Sequence, residues 1–326
     1  MIEYWKGKKV LITGGRGFVG RYLSLALQAT GATVYTPLHK HYDLTMRSHV
    51  ITLAANFPQV DVLFHLAANV GGIQYNMANP ADLLHDNLTM GLNLLDEAAK
   101  YWFPGKIVFA GSVCAYPQHV PIPTFEHHLW TGYPEPTNGS YGVAKLVVGE
   151  ALQAYYNQYK QKAAYLLFAN MYGPHNPTGE RSHVIPALIE RFYKAKQEGV
   201  GFVEVWGTGR ATRDLLYVSD AVRALLIAGE KMDEPIPVNI STNQEVTISY
   251  LARTIADLVG YTGEIIFDGT KPEGQARRSF RNDWAKSMFG WQPQIGIDEG
   301  LRRTVGWYLG MKDEEVRQQP SPAIVG

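Results

Sequence analysis

Tyr141 and Lys145 stand four residues apart in YGVAK, and Ser112 and Cys114 stand two apart in GSVC. Side chains four apart on a helix share a face. A phenol alone is a weak acid and a weak base near neutrality, because its reference pKa is roughly 10. An ammonium beside it favours the phenolate, so Tyr141 and Lys145 could together move a proton to or from a carbonyl oxygen. Ser112 ends the apolar run IVFAGS (107–112), a strand end from which a hydroxyl could hold the same oxygen. Cys114 is the only cysteine in 326 residues. Such a residue is commonly a small core hydrophobe, and by itself it supports either that role or a reactive one.

TGGRGFVG places Gly14, Gly17 and Gly20 between a strand-like run, KVLIT, and a stretch of helical apolar spacing at 18–30. Glycines there permit a tight turn and a close approach to a pyrophosphate, and the helix N-terminus adds free N–H groups. The expected ligand is a dinucleotide. The end of the second strand reads Tyr35-Thr36-Pro37-Leu38, without the acid that binds a ribose 2′-hydroxyl, and Arg16, His39 and Lys40 lie close in sequence. A 2′-phosphate is favoured by cations and repelled by a carboxylate, so NADP(H) is expected. Asp43-Leu44 could meet the adenine edge, or Asp43 could cap a helix.

These groups need a rigid frame. Apolar runs at 32–36, 60–67, 107–112 and 164–170 alternate with helical patterns at 18–30, 81–100 and 141–159. That alternation predicts an α/β fold, a Rossmann-type doubly wound parallel sheet, with a smaller α/β C-terminal substrate domain. The expected domains are 1–170 plus 213–243 for the dinucleotide, and 171–212 plus 244–326 for the substrate. Further helices are expected at 183–197, 248–258 and 298–309, and disorder in the polar tail 313–326.

Thirty basic and thirty acidic residues leave no net charge, which argues against a nucleic-acid footprint. One cysteine suits a reducing compartment. The opening MIEYWKGKKVLITGG lacks the basic and apolar regions of a secretory signal, and no run approaches a membrane span. A soluble cytoplasmic protein is expected, with no nucleic-acid or membrane partner and no metal.

TGGRGFVG, HLAA (65–68), Ser112 and YGVAK, in this order, resemble the extended short-chain dehydrogenases/reductases. Longer stretches narrow the match. AANVGGIQYNMANPADLLHDN (67–87), GSVCAYP, PEPTNGSYGVAK (134–145), NMYGPHN (170–176), SHVIPALIERF (182–192), VWGTG (205–209) and TKPEG (270–274) resemble the GDP-L-fucose synthase family. The likeness runs over roughly residues 8 to 310. It implies 3,5-epimerisation and 4-keto reduction of a GDP-4-keto-6-deoxy sugar with NADPH. It implies Ser112, Cys114, Tyr141, Lys145 and His183 as catalytic residues, with Cys114 and His183 as the acid/base pair of the epimerisation. It implies cofactor contacts from Gly14, Arg16, Gly17, Phe18, Val19, Gly20, Asp43, Leu44, Ala67, Lys145 and Asn170. Substrate contacts would come from Ser112, Val113, His183, Arg191, Trp206 and Arg213, the two arginines at the diphosphate. Asn87 would support the catalytic loop, His65 would be structural, and helices 81–100 and 141–159 would pair in a homodimer.

Two segments depart from the family. Its R-K-x-x-D is Arg277-Arg278-Ser279-Phe280-Arg281 here, with Arg281 in place of the acid, and the loop 174–181 differs. Both departures are expected near the substrate, which leaves room for another GDP-sugar such as a 6-deoxyheptose. Three other readings are weaker. A 4,6-dehydratase resembles S/T-D-E where this chain has Ser112-Val113-Cys114, which offers no carboxylate to expel water. A simple 4-epimerase needs neither Cys114 nor His183, and a non-catalytic NADP-binding sensor would be expected to lose part of Ser112, Tyr141 and Lys145.

Overall fold

A computed structural model describes residues 2–310. The first half runs α1 (Ile2–Trp5), β1 (Lys9–Thr13), α2 (Phe18–Ala29), β2 (Thr33–Tyr35), α3 (Arg47–Asn56), β3 (Val62–His65), α4 (Ile73–Ala78), α5 (Pro80–Glu97) and β4 (Lys106–Ser112). It continues with α6 (Gly139–Tyr159), β5 (Ala163–Phe168), β6 (Asn170–Tyr172), α7 (Val184–Glu198), β7 (Phe202–Trp206), β8 (Thr212–Arg213) and β9 (Leu215–Tyr217). The last elements are α8 (Val218–Lys231), β10 (Pro237–Ile240), β11 (Val246–Thr247), α9 (Ile248–Val259), β12 (Glu264–Asp268), α10 (Asp283–Phe289) and α11 (Ile297–Tyr308).

Six strands form one sheet in the order β10-β5-β4-β3-β1-β2, every pair parallel. Side chains alternate faces along a strand, and β1 and β3 show it. Val10, Ile12, Val62 and Phe64 enter a core shared with Leu27 of α2 and Leu225 of α8. Leu11 and Leu63 enter the opposite core, shared with Leu94 of α5 and Val148 of α6. Burial on both faces is why these runs are apolar throughout. The strand order reverses at β1 and β3, and in such sheets the crevice at the carboxyl ends at that point is where ligands bind.

A third core gathers Ile189 and Phe192 of α7, Leu251 and Ile255 of α9, and Val305 of α11. The pairs β6–β9, β7–β12 and β8–β11 tie this region together. Ala285, Phe289 and Trp291 instead pack into the first core against the large sheet, although they fall in the stretch 244–326. The helices α1, α3, α4 and α10 are not among those the sequence predicts; each is short, with few apolar repeats for a pattern to show. The polar tail at 313–326 lies outside the described residues.

Candidate active site

A cleft of about 1160 Å³ opens at the carboxyl ends of the sheet strands. Gly14, Ser112, Tyr141, His183, Trp206 and Arg213 all line it.

At one end is the glycine turn. Gly14 has φ +70°, and a Cβ on it would fall 2.8 Å from the Ala67 nitrogen. A Cβ on Gly20 would fall 2.2 Å from the Gly14 carbonyl oxygen. Only glycine permits β1, the turn and α2 to pack this closely. Gly17 is the N-cap of α2 and contributes no side-chain cap, so the N–H groups of the first turn remain for an anion. Arg16, Phe18, Val19, Leu44, Ala67 and Asn170 border the same space. Asp43 accepts from the Thr45 backbone at 3.0 Å and its hydroxyl at 2.7 Å. The Thr45 bonds hold its carboxyl below the usual range. It therefore caps a turn before α3, whose own N-cap is Met46. His39 lines the cleft and Lys40 does not. With no carboxylate ending β2, and Arg16 and His39 at the opening, these residues fit an NADP(H) 2′-phosphate.

The catalytic candidates lie beyond the glycine turn. Ser112 ends β4 and its Oγ accepts from the Cys114 backbone at 3.1 Å, capping a short 3-10 turn. Tyr141 and Ser112 border the same cleft, and the Ser112 hydroxyl acts on the Tyr141 phenol. The structure corrects one expectation here. Burial pushes the Tyr141 phenol well above its ordinary range; the nearby Cys114 adds to this and Ser112 pulls back only in part. Lys145 does not reverse the shift. Its own ammonium is brought down to about 8 by burial, and its Nζ donates to the Ala110 carbonyl at 3.0 Å. Tyr141 is thus held protonated, as a donor. Gly142 lets α6 approach: a Cβ there would fall 2.2 Å from the Cys114 carbonyl oxygen.

His183 is the N-cap of α7, but its ring makes no capping bond. It lines the cleft, and burial holds its pKa below the usual imidazole value. Gly72 admits this corner, since a Cβ there would fall 2.3 Å from the Ser182 carbonyl oxygen. Asn87 clasps the loop between β3 and α4: Oδ1 accepts from Asn69 N at 3.2 Å and Nδ2 donates to Asn69 O at 2.8 Å. His65 is buried behind the cleft against Thr13 Oγ1, at 2.8 Å.

Arg213 is buried and donates to the carbonyls of Thr212 (2.7 Å), Gln275 (2.7 Å) and Glu273 (2.6 Å). Burial, then repulsion from Arg278, brings its pKa down to about 10. Arg191 donates to the Glu204 carbonyl at 2.5 Å. Both arginines and the partly exposed Trp206 line the cleft. Val113 does not. Its side chain is in the second core, because it follows Ser112 and must point the other way. Arg281 is also outside the cleft, paired with Asp283 at 2.8 and 3.0 Å. The reversed charge expected near the substrate therefore lies on the surface. Asn176, Pro177 and Arg181 of the altered loop do border the cleft.

Sequence reasoning missed Arg278, which turns inward, and Asn76, which accepts from Gly71 N at 3.1 Å and donates to Asn138 at 2.8 Å. Three arginines in five residues give no sign of which one is buried. Asn76 sits inside a quoted motif, yet its partner is 62 residues away.

Residues 10–241 match the NAD dependent epimerase/dehydratase family. The chain is 39% identical over 307 residues to the probable GDP-L-fucose synthase 1 of Oryza sativa subsp. japonica, covering 93% of each. It is 33% identical over 317 residues to the GDP-L-fucose synthase of Escherichia coli (strain K12), covering 94% of this chain and 98% of the other. Among solved structures it superposes on a GDP-mannoheptose C4 reductase from Campylobacter jejuni with NADP bound. There the TM-score is 0.83 at 25% identity, over 93% of this chain and 98% of that one.

Proposed function

The chain belongs to the GDP-L-fucose synthases of the NAD dependent epimerase/dehydratase family, and from that premise we propose how its own residues carry out the two reactions. It is an NADP-dependent enzyme that epimerises C3 and C5 of GDP-4-keto-6-deoxy-D-mannose and reduces C4, giving GDP-L-fucose. The observation that carries this reading is that Cys114 and His183 line the same cleft as Ser112, Tyr141 and Lys145. A reductase alone has no use for the first two.

The 4-ketone acidifies the C–H bonds at C3 and C5. Cys114 and His183 supply one group to remove a proton and another to return one on the opposite face, which inverts the carbon. Thiol and imidazole have reference values on either side of neutral pH, which suits both directions of transfer. Ser112 and Tyr141 offer hydroxyls to the oxygen on which negative charge develops. NADPH, when bound by the glycine turn and Lys145, supplies the reducing equivalents at C4. Tyr141, held protonated by burial, donates its proton to O4. Arg191 and Arg213 bind the diphosphate, a task for which the guanidinium fork is suited, and Trp206 packs on the sugar nucleotide.

Among the described residues no helix is long and apolar enough to cross a membrane. We place the enzyme in the cytoplasm as a homodimer paired through α5 and α6. Leu92 and Tyr159, partly exposed on those helices, support the pairing, which light scattering of the purified chain tests.

The reaction is tested with GDP-4-keto-6-deoxy-D-mannose and NADPH in deuterated water, followed by proton NMR. GDP-L-fucose with deuterium at C3 and C5 is expected. NADPH oxidation without deuterium at those carbons would leave a plain 4-ketoreductase. Turnover of a GDP-4-keto-6-deoxyheptose in its place would assign the enzyme to that sugar.

A further inference from the structure

Arg277, Arg278 and Arg281 lie within five residues, and the outer two have carboxylate partners at the surface. Arg277 pairs with Glu245, and Arg281 with Asp283. Arg278 turns the other way. It is 7% exposed, and among the described residues no carboxylate lies within ion-pairing distance of it. Its Nε donates to Gln275 Oε1 at 3.0 Å. Gln275 is itself tied to the Gln118 carbonyl at 2.9 Å, so the guanidinium is anchored. Its Nη1 points at the Cys114 sulfur, 3.6 Å away.

A buried cation without a counter-charge is costly. The charged and titratable groups around Cys114 are Arg278, Arg213 on β8 and Tyr141 on α6, with His183 in the same cleft. Glu135 and Glu273 act on Arg213. We propose that Arg278 is a positioning residue for Cys114: it supplies the counter-charge when the sulfur is ionised, and so keeps a thiolate available to take a proton from the carbon beside the ketone. In that step the C–H bond breaks, an S–H bond forms, and the electron pair moves onto the ketone oxygen at Ser112 and Tyr141. A cation within about 4–6 Å favours a thiolate, and the thiolate is the reactive form of the residue.

This rests on the reading of Cys114 as a proton-transfer group, but its test needs neither sugar nor cofactor. Cys114 is the only thiol in the chain, so alkylation by iodoacetamide, followed by mass spectrometry, reports on it alone. Arg278→Gln is expected to react about tenfold more slowly than wild type near neutral pH, the effect of one unit. Arg278→Lys should recover part of the rate, and the three proteins should converge at alkaline pH. Equal rates near neutrality, or one constant ratio at every pH, would overturn the proposal. Should Arg278→Gln not fold, Gln275→Ala, which removes the side chain that anchors the guanidinium, takes its place. Slower alkylation than wild type near neutral pH is expected, and an equal rate would sink the idea. Deuterium exchange that fails while alkylation behaves as expected would instead fault the proposed reaction.

Discussion

The Lys145 ammonium lies 5.6 Å from the centre of the Tyr141 ring and is committed to the Ala110 carbonyl. The pair shares a helix face, as the spacing requires, yet the phenol stays protonated because both groups are buried and burial disfavours each charged form. In the proposed reaction it is this protonated phenol that gives its proton to the substrate oxygen.

Tyr141→Phe should lower the rate of NADPH oxidation by roughly 10²–10⁴-fold, the usual worth of a positioned acid. Exchange of deuterium into the substrate should remain measurable, because Cys114 and His183 are untouched. Comparing the two rates on one sample checks this. Loss of both in equal measure would mean that Tyr141 carries the enolate as much as the reduction.

Cys114→Ser and His183→Asn should each reduce exchange at C3 and C5 by about 10²–10⁴-fold. Neither should change NADPH affinity by more than a few fold, since the glycine turn is made by other residues. Fluorescence titration with NADPH and NMR of the sugar separate the two effects. Unchanged exchange in the serine variant would return Cys114 to a packing role.

Gly20→Ala sets a Cβ 2.2 Å from the Gly14 carbonyl oxygen. Overpacking of this kind costs about 1–3 kcal/mol, and the backbone must move where the pyrophosphate would bind. Affinity for NADPH is expected to fall about tenfold or more, with a lower Tm. Titration calorimetry and a thermal melt check both.

His65 is buried on Thr13, and burial, assisted by Lys145, lowers its pKa from 6.5 to about 3. Between those values the unfolded chain binds a proton that the native chain refuses. This contribution to stability is present above about pH 6.5 and is lost as pH falls toward 3. His65→Asn removes that titration. Denaturant melts from pH 7 down to 4 should show a shallower acid loss for the variant. Parallel curves would place the acid sensitivity elsewhere.

Much of this protein was legible without coordinates, where the signal was local. Alternating apolar runs reported a two-faced sheet, because each strand must bury both sides. Glycine spacing reported the turn, because only that backbone admits Ala67 and α2 together. A four-residue interval put Tyr141 and Lys145 on one face. The one cysteine, beside Ser112, was placed by motif likeness rather than by spacing. What the tertiary structure decided depends on contacts far apart in sequence. It sent Val113 into the core and Arg281 to Asp283, and it brought Arg278 to a sulfur 164 residues away. It also buried the Tyr141 phenol, which raises its pKa although a cation stands on its own helix. Burial and long-range pairing are properties of the packed chain, and no window of sequence contains the two sides that must meet.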